Sequence, residues 1–116
     1  MSDYTPVNHV QLSGRVSSEP HALTLPSGDE IVTFRLVVAR DAAARKRSRQ
    51  AVDVIECVAW TARLRRSVQR LKPDEHVELT GALRRRFSRG GGGVQSFASV
   101  EVLGLQRRGP VVRSDA

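Results

Sequence analysis

At 116 residues, 40% hydrophobic and 27% charged, the chain has the composition of one globular domain, with room for a core but not for a second domain. No apolar run approaches the roughly 18 residues of a membrane span, and a single cysteine excludes an internal disulfide. Nineteen Lys and Arg against twelve Asp and Glu give a net charge of +7 and a pI near 11.2, which makes an acidic partner, above all nucleic acid, the first expectation.

Residues 1–7 have neither a basic n-region nor an apolar stretch, so no secretion signal is expected and they read as a flexible lead-in. In residues 8–16, Val10, Leu12, Gly14 and Val16 alternate with polar neighbours, the period of a strand with one buried face. Gly14 inside it suggests a bulge or sharp bend. Residues 17–30 carry Pro20, Pro26 and the turn signal Pro26-Ser-Gly-Asp29, and read as a loop or a loosely paired hairpin. Residues 30–40 form the second strand, with Val32, Phe34, Leu36 and Val38 inward and Thr33, Arg35 and Val37 outward. Residues 41–51 have no apolar period and read as a long hairpin loop.

The third strand spans residues 52–60. Ile55, Cys57 and Ala59 make an apolar core face, with Cys57 a small core residue; Val52, Val54, Glu56, Val58 and Trp60 share the other face. At Thr61, a competent N-cap, the period changes. Leu64, Val68 and Leu71 fall at i, i+4 and i+7, and Pro73 stops the helix. Residues 76–87 give a fourth strand, with Val77, Leu79, Gly81 and Leu83 on one face. Residues 88–93 are a glycine-rich flexible connection. Residues 94–105 are a fifth strand in which Ala98, Val100 and Val102 alternate with Ser99 and Glu101, and residues 106–116 read as a flexible tail. Three strands, a helix and two strands, with bends at glycines, is the element order of an all-β, five-stranded Greek-key OB-fold barrel with one short helix between strands 3 and 4. An open α+β sheet is the competing architecture.

The charge is clustered. Seventeen of the nineteen bases fall within residues 40–49, 63–72, 84–89 and 107–113, and Asp41 is the only acid among them. Arginine outnumbers lysine by 17 to 2, which favours phosphate forks and stacking over simple solubility. His9, His21 and His76 have no metal-ligand spacing, and Asp53, Glu56, Asp74 and Glu75 are not placed to hold a catalytic metal. No cofactor, no metal and no enzymatic activity are expected.

The segment from Asn8 to Leu105 resembles the bacterial single-stranded DNA-binding protein family. Asn8-His-Val10-Gln-Leu12-Ser-Gly14-Arg-Val16, with Pro20 after it, is similar to that family's first strand. Pro26-Ser-Gly28 before Val32-Thr-Phe34-Arg-Leu36 resembles its turn and second strand. Glu56-Cys-Val58-Ala-Trp60 leading to Leu64 and Leu71 resembles its third strand and helix, and Val77-Glu-Leu-Thr-Gly81-Ala-Leu83-Arg-Arg-Arg its fourth strand. The resemblance implies an OB fold over residues 8–105, a homotetramer, sequence-independent binding of single-stranded DNA in replication, recombination or repair, and a cytoplasmic, nucleoid-associated location away from any membrane. It places a base-stacking aromatic at Trp60, puts Val54 where the family has a tryptophan, and sets Phe87 one residue before the family's fourth-strand aromatic. The family's acidic tail has no counterpart in Gly109-Pro-Val-Val-Arg-Ser-Asp-Ala116, so the chain looks like a tail-less or truncated member, and recruitment of replication or repair proteins is in doubt.

Single-strand binding needs cations for phosphates and flat side chains for bases. The expected contact set is Arg35, Arg40, Arg45, Lys46, Arg47, Arg49, Val54, Trp60, Arg84, Arg86, Phe87 and Arg89. Residues 45–49 serve as a phosphate clamp and Trp60 as a stacking platform, with a core or subunit-interface role as the alternative for Trp60. The helix arginines, Arg63, Arg65, Arg66 and Arg70, sit on the element that plugs one end of an OB barrel, away from the main groove. The competing function is a replication-restart (primosomal) OB module, or an RNA-binding one, acting mainly through protein contacts.

Overall fold

The first strand, Val10–Val16, pairs on both of its sides, and that double pairing closes the sheet. The computed structural model describes residues 3–90 and 93–110, with the backbone alone at 87–90 and 110. Its elements are β1 (Val10–Val16), β2 (His21–Thr24), β3 (Glu30–Ala39), α1 (Ala42–Arg47), β4 (Val52–Ala59), α2 (Ala62–Gln69), β5 (Glu75–Gly90) and β6 (Gly93–Pro110). β1 runs antiparallel to β5 from Val10 opposite Gly81 to Arg15 opposite His76, and its end crosses to β3, with Val16 opposite Leu36. The ring β1-β5-β6-β4-β3 is completed by a parallel pairing of β4 with β6 at Cys57–Val100 and Val58–Glu101. This is a five-stranded Greek-key OB barrel, and the open-sheet alternative is excluded.

The core is the one that alternation marks out. Val16, Val32, Phe34, Leu36, Cys57, Ala59, Val77, Leu79, Val100 and Val102 are buried, with Val68 of α2 and Leu71 just beyond its end closing one end of the barrel. Thr61 caps that helix by accepting from the Leu64 amide at 3.3 Å. Burial pushes the Cys57 thiol up to about 12, with Glu56 adding to it, so Cys57 is an inert core residue. Closure demands glycine at two corners: a Cβ on Gly14 would lie 2.3 Å from the Val37 carbonyl oxygen, and one on Gly81 2.0 Å from that of Glu101.

Several local expectations are revised. Residues 41–51 hold a short helix, α1, capped by the Asp41 carboxylate accepting from the Ala44 amide at 2.8 Å. Residues 17–30 contain β2, paired with β3 from His21–Thr33 to Thr24–Glu30, so the hairpin reading is the right one there. β5 continues to Gly90 and β6 starts at Gly93, so the ladder reaches into the stretch expected to be irregular. β6 also continues to Pro110, beyond the expected end at Leu105. It is kept in register by two irregularities, which leave Leu103 and Arg108 with no residue opposite them in the β5 ladder. Val37, expected outward, is buried where β1 crosses β3. Leu83 keeps its inward phase opposite Val100, but lies at the barrel rim and is 48% exposed.

Candidate nucleic-acid interface

The outer faces of β3 and β4 carry the cross-strand pairs Thr33 with Val58 and Arg35 with Glu56; the next pair, Val37 with Val54, has its β3 member covered by β1. Two projections rise beside them, the β2–β3 hairpin and the β5–β6 arm. Between these lies a groove of about 430 Å³. Its hairpin side is apolar, with Leu23, Leu25 and Ile31. The arm side presents Arg84, Arg86, Phe97 and Ser99, and Trp60 contributes at the end of β4. Trp60 is 40% exposed and Phe97 47%. Period two explains the arm: Arg84 and Arg86 share a face of β5, opposite Ser99 and Phe97 of β6.

The groove is nearly charge-balanced. Arg84 and Arg86 line it, and so do Glu56 and Glu101. Arg84 Nε donates to Glu101 Oε1 at 3.1 Å, and the Arg35 guanidinium lies 3.9 Å from Glu56. Its chemistry is therefore apolar and aromatic, with arginines held at its rim, which suits flat, polar-edged ligands such as bases better than isolated phosphates.

The expected contact residues do not form one patch. Trp60, Arg84 and Arg86 come together in the groove, with Arg35 at its margin. Arg45, Lys46 and Arg47 lie exposed on α1, with Arg49 just after it, at the end of β4 opposite Trp60; eight residues of strand put that end roughly 27 Å away. Val54 lies exposed between the two, on the outer face of β4. Arg40 is committed elsewhere. Its guanidinium donates to both Asp53 oxygens, the shortest bond being 2.8 Å, which raises its own pKa and lowers that of Asp53. Phe87 and Arg89 stand on β5 opposite Ser96 and Val94, and their side chains lie outside the described residues.

Phe97 is a groove residue absent from the expected contact set, because alternation alone leaves it between core and rim. Its pairing opposite Arg86 was the missing information. The groove carboxylates were also missed as such, because Glu101 meets Arg84 only through the β5–β6 register. Among the described residues, no group of His, Cys, Asp and Glu is placed to hold a metal ion, and no helix is long and apolar enough to cross a membrane.

Comparison with known proteins gives one consistent result. The model of the Single-strand binding protein family matches residues 7–104. Over 97 residues the chain is 32% identical to the single-stranded DNA-binding protein of Bacillus cereus, covering 84% of this chain and 56% of that protein. The Bacillus anthracis protein of the same name matches equally, with 55% of its length covered. The chain thus spans just over half the length of these curated relatives. Among solved structures, the Plasmodium falciparum SSB in complex with ssDNA superposes with a TM-score of 0.75 at 20% identity, covering 91% of this chain and 98% of that one. That likeness concerns the fold.

Proposed function

Given that the chain belongs to the single-strand binding protein family, we propose that it binds single-stranded DNA, without catalysis and largely without regard to sequence, in replication, recombination or repair. The observation that carries this reading is the groove, where two exposed aromatics, Trp60 and Phe97, stand beside Arg84 and Arg86. Bases stack on the aromatics, each stack contributing about 1–3 kcal/mol. Arg86 holds an adjacent phosphate, Arg84 beside it is drawn toward Glu101, and the exposed cations of α1 take the strand at the far end of β4. Arg35, Arg45, Lys46, Arg47, Arg49, Val54, Phe87 and Arg89 complete the contact set on this reading. Arg40 contributes field rather than a direct contact, because Asp53 occupies its guanidinium.

The working unit is a homotetramer in the cytoplasm, at the nucleoid. Supporting the assembly, Val52 and Leu103 leave apolar surface exposed on the barrel.

Anisotropy titrations at fixed salt test the function, using labelled oligo(dT), RNA of the same length and a matched duplex. The expected order is DNA single strand well ahead of duplex, with RNA no tighter than DNA. Equal affinity for duplex, or a preference for RNA, would overturn it.

A further inference from the structure

α2 begins two residues after Trp60, with Thr61 between them as its cap, so the helix starts where the groove ends. Its inner side is fixed by Leu64 and Val68, with Leu71 just beyond its end, all buried or half-buried against the barrel. Arg65 is also turned inward, donating to the Trp60 and Glu30 carbonyls. The outward positions are Arg63, Arg66 and Arg70, spaced i, i+3 and i+7, which places them in one stripe along the helix. All three are exposed, and none has a carboxylate partner among the described residues. Arg15, Arg35, Arg40, Arg65, Arg84, Arg107 and Arg108, by contrast, each face an acid, and the stripe shares its lack of acidic partners with the exposed cations of α1. At its far end the stripe opens into a shallow basin of about 490 Å³, lined by Gln69, Arg70, Lys72 and Arg107 together with Glu19.

We propose that this stripe is a second nucleic-acid contact surface, which takes the phosphate backbone of a strand leaving the groove past Trp60. The inference rests on the single-strand reading of the groove. Unpaired guanidinium groups on a rigid helix suit phosphate, which they meet as forks of parallel donors. Their position fits the geometry: the groove is charge-balanced and reads bases, whereas α2 at one end of β4 and α1 at the other carry uncommitted cations. A strand longer than the groove therefore has a basic path in both directions. A purely helix-stabilising role for Arg66 and Arg70, near the negative end of the helix dipole, would change melting and nothing else.

The test replaces Arg63, Arg66 and Arg70 together by glutamine and compares a short oligo(dT) of about 6 nucleotides, enough for one groove, with one of about 30. On the long strand the slope of log K against log[salt] should flatten by up to about 2 units, at about 0.7 per lost phosphate contact. On the short strand the slope should stay as in the parent, and the thermal midpoint should hardly move. An unchanged slope on the long strand would overturn the proposal and leave the stripe to a protein partner or to solvent. Equal flattening on both strands would also overturn it, since that is the signature of lost net charge alone. Failure of the parent protein to bind either strand would instead overturn the reading of the groove.

Discussion

Arg84 donates to Glu101 at 3.1 Å inside the groove, a diagonal contact across the β5–β6 ladder. A phosphate arriving there meets a guanidinium that already has an anionic partner. Glu101→Gln frees the cation and removes a repulsive charge. Single strands should then bind more tightly, with the salt slope steeper by about 0.7 units, the value for one added phosphate contact. Titrations at several salt concentrations decide the point; unchanged affinity and slope would show that Arg84 never meets the backbone.

Barrel closure at Gly81 is equally specific. A Cβ there would lie 2.0 Å from the Glu101 carbonyl oxygen, part of the strand itself and unable to swing aside. Gly81→Ala should lower stability by roughly 3 kcal/mol, the upper end of overpacking costs, read as a lower urea midpoint. A wild-type midpoint would mean that the β5–β6 corner is looser than described.

The alternation of apolar residues in β1, β3 and β4 made the core legible, because each strand has one face that meets no water. Thr61 and Pro73 likewise bracketed α2. β2 was less legible: all four of its residues are exposed, so no hydrophobic period marks it. α1 was hidden for a similar reason, having no buried residue, although Asp41 ahead of three alanines was a local signal for a capped start. Trp60, Arg84 and Arg86 could be assigned to one face by counting, but the commitment of Arg40 to Asp53 and of Arg84 to Glu101 could not. Those pairings depend on cross-strand register, which for Arg84 and Glu101 is reset by the irregularity at Thr80/Gly81 without a trace in composition.

Glu75 is the one buried charged residue among the described ones. It is held by the Arg107 guanidinium, with a bond from Nη2 at 2.9 Å, and by the Lys72 amide at 3.1 Å. These bonds, Arg107 first, lower its pKa against the cost of burial. A carboxylate whose folded pKa lies below its unfolded value, near 4.3, contributes stability above that value and loses it as pH falls through the folded one. Glu75→Gln should therefore melt below the parent at neutral pH, and the gap should close in acid, below about pH 4. A gap that persists at acidic pH would mean that shape, not charge, fixes this corner.

The exposed cations of α1 and the residue after it should govern salt dependence without touching base stacking. Replacing Arg45, Lys46, Arg47 and Arg49 by alanine should flatten the salt slope by up to about 3 units, at about 0.7 per contact, while any change in tryptophan emission on binding stays the same. A parental slope would show that this end of β4 lies off the path of the strand.

The most direct test of the account is the emission of Trp60, the sole tryptophan, during titration with oligo(dT). A base stacked on the 40%-exposed indole should quench it, with the change saturating along the binding isotherm. Trp60→Ala should then cost about 1–3 kcal/mol of affinity. Saturating DNA with no change in emission would contradict the account, because the strand would then pass the groove without meeting its tryptophan.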